Sequence, residues 1–196
     1  DKGFESVVLA QQTLGGSGYV RDWAVEQMVR DVRISTVYEG ANGVQALDLV
    51  GRKLGSDGGR HAMAFFEMVK AWCQNHRDDP ELGPGYAEPL KDASKELQKA
   101  AMYFLQTGQQ APRAALAGAY DFMHMMGHVC LGLMWARMAA AAREAARAGT
   151  WDTAFLEAKI ATGRYYMARQ LPMVSTHLRR IESGAEPVMA LDASAF

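Results

Sequence analysis

The sequence has little of what usually betrays a function outright. Only two of its 196 residues are cysteines, Cys73 and Cys130, and they have no C-x-x-C spacing. That excludes a disulfide scaffold or a thiolate metal knuckle, and predicts buried thiols in a reducing compartment, the cytoplasm. Neither sign of charge is in excess, with 21 Lys and Arg against 22 Asp and Glu. Nucleic acid and anionic membranes both call for a basic footprint, so neither is expected as a partner. The most apolar run, Ala114 to Ala142, is interrupted by Asp121, His124, His128 and Arg137. It therefore predicts a core helix and no membrane span. No stretch alternates polar and apolar residues for long, which argues against a sheet. No secretory leader pattern opens the chain.

What is present is helical periodicity in a chain that is 49% hydrophobic, enough for one or two small domains with a core. Phe4, Val7, Val8, Gln11 and Leu14 share a helical face, and Gly15-Gly16 ends that helix. Asp22 is placed to cap the next helix, with its stripe at Val25, Met28, Val29 and Val32. Gly55 to Gly59 (GSDGG) reads as a linker. Beyond it come stripes around Phe65–Trp72 and Leu90–Phe104, the second stopped at Thr107-Gly108. A loop is expected at Asp78–Gly85, and Pro89 suits a first helical turn. Pro112 begins a long helix that runs to Ala148 and ends at Gly149. Asp152 caps a last helix that Pro172 kinks or ends. The reading is all-α, an up-down helical bundle. Its parts are residues 1–54, a linker at 55–60, a bundle over 61–183 and a tail at 184–196, either mobile or an arm that docks on a partner.

The chemistry-bearing stretch is Arg30 to Gln45, RDVRISTVYEGANGVQ. It sets Glu39 between Tyr38 and Gly40 where a helical pattern stops, a place from which a carboxylate can reach a cleft as a general base. Arg30 and Asp31 read as a structural ion pair. Asp121, His124 and His128 share one helical face, a spacing that could hold a metal. The glutamate of H-E-x-x-H is missing, and satisfied core histidines are the favoured reading. The 12 methionines read as core filler.

Gln11 to Val20 (QQTLGGSGYV), Val25 to Ile34 (VEQMVRDVRI) and Val37 to Gly40 (VYEG) come in the order and spacing of one signature. Together they resemble the C-terminal signature of the acyl-CoA dehydrogenases. The resemblance implies that Glu39 removes a proton α to a thioester carbonyl while hydride passes from the next carbon to N5 of FAD. It implies that Tyr38 walls the thioester pocket and that a backbone amide of Gly40 or Ala41 polarises the carbonyl. It also implies that Gln12, Gly15 and Gly16 touch the ADP part of a flavin held mainly by a neighbouring subunit, and so a homo-oligomer. The implied partners are an acyl-CoA substrate and an electron-transfer acceptor. Two positions depart from the family's pattern. Ala41 stands where a Thr usually bonds the flavin pyrophosphate, and Gly43 where a Gln is frequent, with Asn42 or Gln45 to compensate.

The opening DKGFESVV lies in mid-helix without a Met, and under the resemblance this is the C-terminal piece of a longer enzyme. Residues 61 to 180 resemble the extra C-terminal helical domain of larger family members, those for methylmercaptopropionyl-CoA and long chains. That domain would pack on the catalytic core or form a dimer face. Two rivals stand beside this reading. One is a non-catalytic helical interaction module on the family scaffold. The other is a DNA-associated relative, which the balanced charge disfavours.

Overall fold

The structure, a computed structural model, describes residues 1–38 and 40–195, leaving aside the side chain of Gln109. Among those residues every regular element is helical, and the all-α bundle expected from periodicity is what forms. The chain makes two compact units, residues 1–45 and 46–196.

The first unit is a helical hairpin. Helix α1 (Lys2–Thr13) packs antiparallel to α2 (Val25–Arg33). The Arg33 guanidinium lies over the Phe4 ring at 5.3 Å, which fixes the start of α1 beside the end of α2. Their half-buried sides are Phe4, Val7, Gln11 and Leu14, and Val25, Val29 and Val32. These are the predicted stripes, less Val8 and Met28, which are exposed. Two 3-10 turns, Gly15–Tyr19 and Arg21–Trp23, join the helices. Asp22 sits inside the second turn and does not cap α2. The cap position falls to Ala24, which takes left-handed angles at φ 59° and carries no capping side chain. Arg30 pairs one turn back with Glu26, at 2.8 and 3.2 Å, in place of the expected Asp31. An i,i+4 pair lies on one helical face and adjacent residues do not.

Helix α3 (Asn42–Asp48) leads from one unit into the other and continues as a π-turn, Leu49–Lys53. A 3-10 turn, Ser56–Gly59, precedes α4 (Arg60–His76). The stretch expected as a loop at 78–85 is largely wound up. Asp79 accepts from the amides of Glu81 (2.9 Å) and Leu82 (2.8 Å), and a π-turn, Gly83–Ala87, runs into α5 (Glu88–Gln110). Arg143 binds the same Asp79 oxygen at 2.6 Å. Gly108 does not stop α5. The helix goes on to Gln110 and breaks at Ala111 (φ −138°, ψ 71°), because the residue before Pro112 is pushed out of the helical region.

Helix α6 (Pro112–Ala148) is the axis of the second unit, with α5, α7 (Thr153–Tyr165) and α8 (Met173–Glu182) packed on it and α4 packed on α5. Its core face is made of small residues between large ones. Ala115, Ala119, Ala136, Ala139 and Ala142 are buried with Phe122, Met125, Val129 and Leu133. At Gly132 the space of a Cβ is already taken by Leu90 and Leu171, each at 3.2 Å. Gly149 ends α6 in a left-handed turn, and the Asp152 carboxylate caps α7 by accepting from the Phe155 amide at 2.8 Å, both as expected. A π-turn, Tyr166–Gln170, precedes Pro172, so the proline separates α7 from α8. The last residues form a short exposed helix, α9 (Glu186–Met189), and a 3-10 turn.

Candidate active site

Two segments of the hairpin carry the candidate site residues. The first is the glycine loop after α1. Gln12, Gly15 and Gly16 are all exposed there, and nothing lies within 4 Å of where a Cβ on either glycine would sit. The loop is braced from within. Gln11 Nε2 donates to the Gly18 carbonyl at 3.2 Å, and a side chain at Gly18 would meet the Gln11 carbonyl at 2.4 Å, so only glycine fits. The result is an exposed backbone arc that an extended polar group could approach closely. Gln11 read from sequence only as part of an apolar stripe, and its bracing bond had no signal there.

The second segment follows α2. A 3-10 turn, Ile34–Thr36, leads to Tyr38, which is 51% exposed. Glu39 lies outside the described residues. Gly40 takes a left-handed φ of 99°, and the Gln45 amide nitrogen fills the place of its missing Cβ at 2.6 Å. Ala41 is exposed and its carbonyl accepts from the Gln45 amide at 3.1 Å, starting α3. Asn42 donates to Asp1 at 2.5 Å, clipping this turn to the beginning of α1. Of the two positions expected to compensate for Ala41 and Gly43, Asn42 thus holds the turn's shape, and the Gln45 side chain lies against Gly40.

The clip decides the geometry. It sets the start of α3 at the amino end of α1, while the glycine loop is at the carboxyl end. A helix of twelve residues separates them, about 18 Å. Among the described residues, Gln12, Gly15 and Gly16 are not brought together with Gly40 and Ala41 within one copy.

The histidines of α6 turn into the bundle. Asp121 binds His177 of α8 at 2.7 Å, with Arg180 at 3.5 Å from the same oxygen. His128 Nδ1 lies 3.2 Å from the Tyr166 hydroxyl, which donates to the His128 carbonyl at 3.1 Å. Burial raises the Tyr166 phenol well above its ordinary range, so it stays a donor. The rings of His124 and His128 stack or tilt against His177 at 5.5 and 5.8 Å. Among the described residues no group of His, Cys, Asp or Glu is arranged to hold a metal. His177 was the partner that the face of α6 alone did not reveal.

Residues 65–192 match the family described as acetyl-CoA dehydrogenase C-terminal like, and residues 2–54 match the acyl-CoA dehydrogenase C-terminal domain. The chain belongs to the acyl-CoA dehydrogenase family. Its relatives within the family include the 3-methylmercaptopropionyl-CoA dehydrogenase of Ruegeria pomeroyi, 33% identical over 96% of this chain and 32% of that protein. A broad-specificity linear acyl-CoA dehydrogenase of Mycobacterium tuberculosis is 29% identical over all of this chain and 33% of its own length. The CarC subunit of a caffeyl-CoA reductase-Etf complex of Acetobacterium woodii is 44% identical over 45 residues, 23% of this chain and 12% of that protein. The chain thus spans about a third of the length of the longer dehydrogenases that it matches. Among the described residues no helix is long and apolar enough to cross a membrane.

Proposed function

We propose that this chain is the C-terminal part of a cytoplasmic, flavin-dependent acyl-CoA dehydrogenase that converts an acyl-CoA thioester to the 2,3-enoyl-CoA. Glu39 is the base that takes the α-proton onto its carboxylate. A positioned base of this kind contributes roughly 10²- to 10⁴-fold. Tyr38 walls the thioester pocket, and the backbone amide of Gly40 or Ala41 donates to the carbonyl oxygen as negative charge gathers there. Bound FAD would take the β-hydrogen as hydride and pass the electrons to a separate acceptor. Gln12, Gly15 and Gly16 present open backbone to the ADP part of a flavin held by a neighbouring copy, and the enzyme is a homo-oligomer. Residues 1–54 complete the catalytic helical domain, residues 61–183 form an added bundle, 55–60 join them, and 184–196 are a tail.

The observation that carries this reading is the separation of the two halves of the motif. A glycine loop about 18 Å from Gly40 and Ala41 has no use in the same copy's active site. It does have a use if each copy lends its loop to the cofactor of another. Next to Glu39 in the sequence, Gly40 takes left-handed angles and Asn42 is clipped to Asp1. The remaining walls of the pocket would come from outside this chain.

The test is anaerobic bleaching of the flavin by a panel of acyl-CoA thioesters, in the full-length protein with and without Glu39→Gln. The expected result is a yellow variant whose bleaching rate falls by about two orders of magnitude or more. Undiminished bleaching removes Glu39 from the role of base. A full-length protein that purifies without flavin, and takes up none, removes the redox reading altogether.

A further inference from the structure

Helices α4 and α5 lie side by side, joined by the winding at residues 79–87, and a cleft of about 700 Å³ opens between them. Its floor carries no charge. Val69, Cys73 and Ala87 line it and are 0, 5 and 2% exposed, and burial keeps the Cys73 thiol protonated. Ser94, 4% exposed, adds a hydroxyl to the wall. That hydroxyl accepts from the Gln98 side-chain nitrogen at 3.3 Å, and among the described residues no acceptor takes its own hydrogen.

The rim is basic at one end. Lys91 and Lys95 flank Ser94 on α5, and Lys70 lines the cleft from α4. The lining carboxylates, Asp78 and Glu88, are at the other end, where α4 gives way to α5, and Asp78 is already paired with Arg77 at 3.0 Å. In a chain whose charges balance overall, three lysines thus face one end of a cleft with no lining carboxylate beside them. Lys70 and Lys95 touch Glu67 (3.2 Å) and Asp92 (2.9 Å) outside the cleft, but both pairs are exposed on both sides and contribute little. Lys91 is exposed and, among the described residues, pairs with no carboxylate.

The chemistry of the walls selects the occupant. The volume suits a small molecule, whereas a protein partner would bury roughly 800 Å² on its own side. A metal ion would meet the lysines and be repelled. No aromatic ring lines the cleft, and a nucleobase ordinarily stacks on one, so a nucleotide is a poor fit. A single anionic head fits among the lysines, where ammonium groups and the Ser94 hydroxyl would all donate to it. An apolar chain then fits over Val69, Cys73 and Ala87 and against the methylene stems of the lysines. We infer that the cleft between α4 and α5 binds an anionic amphiphile, a carboxylate or phosphate head on an aliphatic chain. This goes beyond the function proposed above and does not depend on Glu39 or the flavin.

The test is photo-cross-linking of the full-length protein with a diazirine analogue of laurate, the labelled peptide being located by mass spectrometry. Label is expected within residues 69–98, and laurate or dodecyl phosphate should compete it away, the better competitor naming the head. Inorganic phosphate, a head without a chain, and dodecanol, a chain without a charged head, should compete at least about tenfold less well. Lys91→Glu with Lys95→Glu should weaken laurate binding at this site by about tenfold or more. Both side chains are exposed, so far-UV circular dichroism and flavin bleaching by acyl-CoA should not change. Ser94→Ala is the milder variant and should weaken binding by about threefold to tenfold. Label found only outside residues 69–98, as in the acyl-CoA pocket, overturns the inference. So does labelling that the charge reversal leaves unchanged, or dodecanol competing as well as laurate. If no label appears and the charge-reversed variant loses thermal stability, another part of the same polypeptide fills the cleft, which refutes the inference as well.

Discussion

Substituting Gly163 by alanine tests whether the second unit is packed as tightly as described. Gly163 is buried in α7, where alanine would by itself favour the helix by about 1 kcal/mol. The new methyl would however arrive 2.7 Å from the Tyr86 hydroxyl and 3.0 Å from the edge of its ring. Tyr86 is completely buried, and its hydroxyl donates to the Ile160 carbonyl at 2.7 Å, so the ring has nowhere to retreat without breaking that bond. Overpacking costs roughly 1–3 kcal/mol. Losing the bond costs about 0.5–1.5 kcal/mol more. With the helical gain subtracted, Gly163→Ala should destabilise by about 1–3 kcal/mol and lower Tm by about 3–10 °C. Gly108→Ala is the control. It is also inside a helix, α5, but nothing lies within 4 Å of its new methyl. That variant should gain about 0.5–1 kcal/mol, raising Tm by about 2–3 °C. Thermal melts followed at 222 nm decide the matter. If both glycines respond to alanine with the same sign, the close contact of α7 with Tyr86 is wrong.

The amides of Leu82 and Glu81, and then Arg143, hold the Asp79 carboxyl at about 2, down from 3.8. A lowered pKa contributes stability that is complete above about pH 4 and is lost as the pH falls through about 2. Asp79→Asn should therefore melt lower at neutral pH, with a Tm that falls less steeply than the parent's between those values. Burial pushes the Cys73 thiol up to about 11, so it should resist a thiol reagent at pH 8 until the fold opens, with Cys130→Ala removing the other signal. Gly40→Ala forces a side chain into a left-handed φ and against Gln45. If this turn aims Glu39, flavin bleaching by acyl-CoA should slow by about tenfold or more while flavin content holds, because small misplacements of a reacting group are costly. A bleaching rate equal to the parent's would uncouple the turn from the chemistry.

Helix ends with a single local cause were legible in the sequence. Pro112 and Gly149 bound α6, and the Asp152 carboxylate caps α7, because each acts on its own immediate backbone. Ends with competing local causes were not. Asp22 looked like a cap but was absorbed into a 3-10 turn, and Gly108 looked like a stop but sits within a helix whose real obstacle is Pro112. Arg30 met a neighbour in sequence and another in space, and space decided for Glu26. The π-turn before Pro172 and the winding at 79–87 rest on contacts between distant segments, such as Arg143 with Asp79, which no local pattern encodes.

The candidate site shows the same division in a sharper form. Tyr38-Glu39-Gly40 and the glycine loop could be picked out because their chemistry demands particular residues at fixed spacing. How the hairpin is braced could not, since Gln11 to Gly18 and Asn42 to Asp1 are ordinary polar pairs until the chain folds. Those braces matter because the hairpin has almost no interior. Among its described residues only Gly18 is buried, while Val8, Leu9, Tyr19, Val20, Trp23, Met28, Ile34, Val37, Tyr38 and Val44 are exposed. A segment with that much apolar surface in water is one half of a contact. Its polar braces can set the shape of the motif, but the free energy that holds it in place has to come from whatever buries the other side. The same logic applies to α6, whose core face is complete and whose outer face leaves Leu116, Tyr120, Leu131, Met134 and Met138 exposed. In both units the sequence spends hydrophobic residues on surfaces that a lone copy leaves wet.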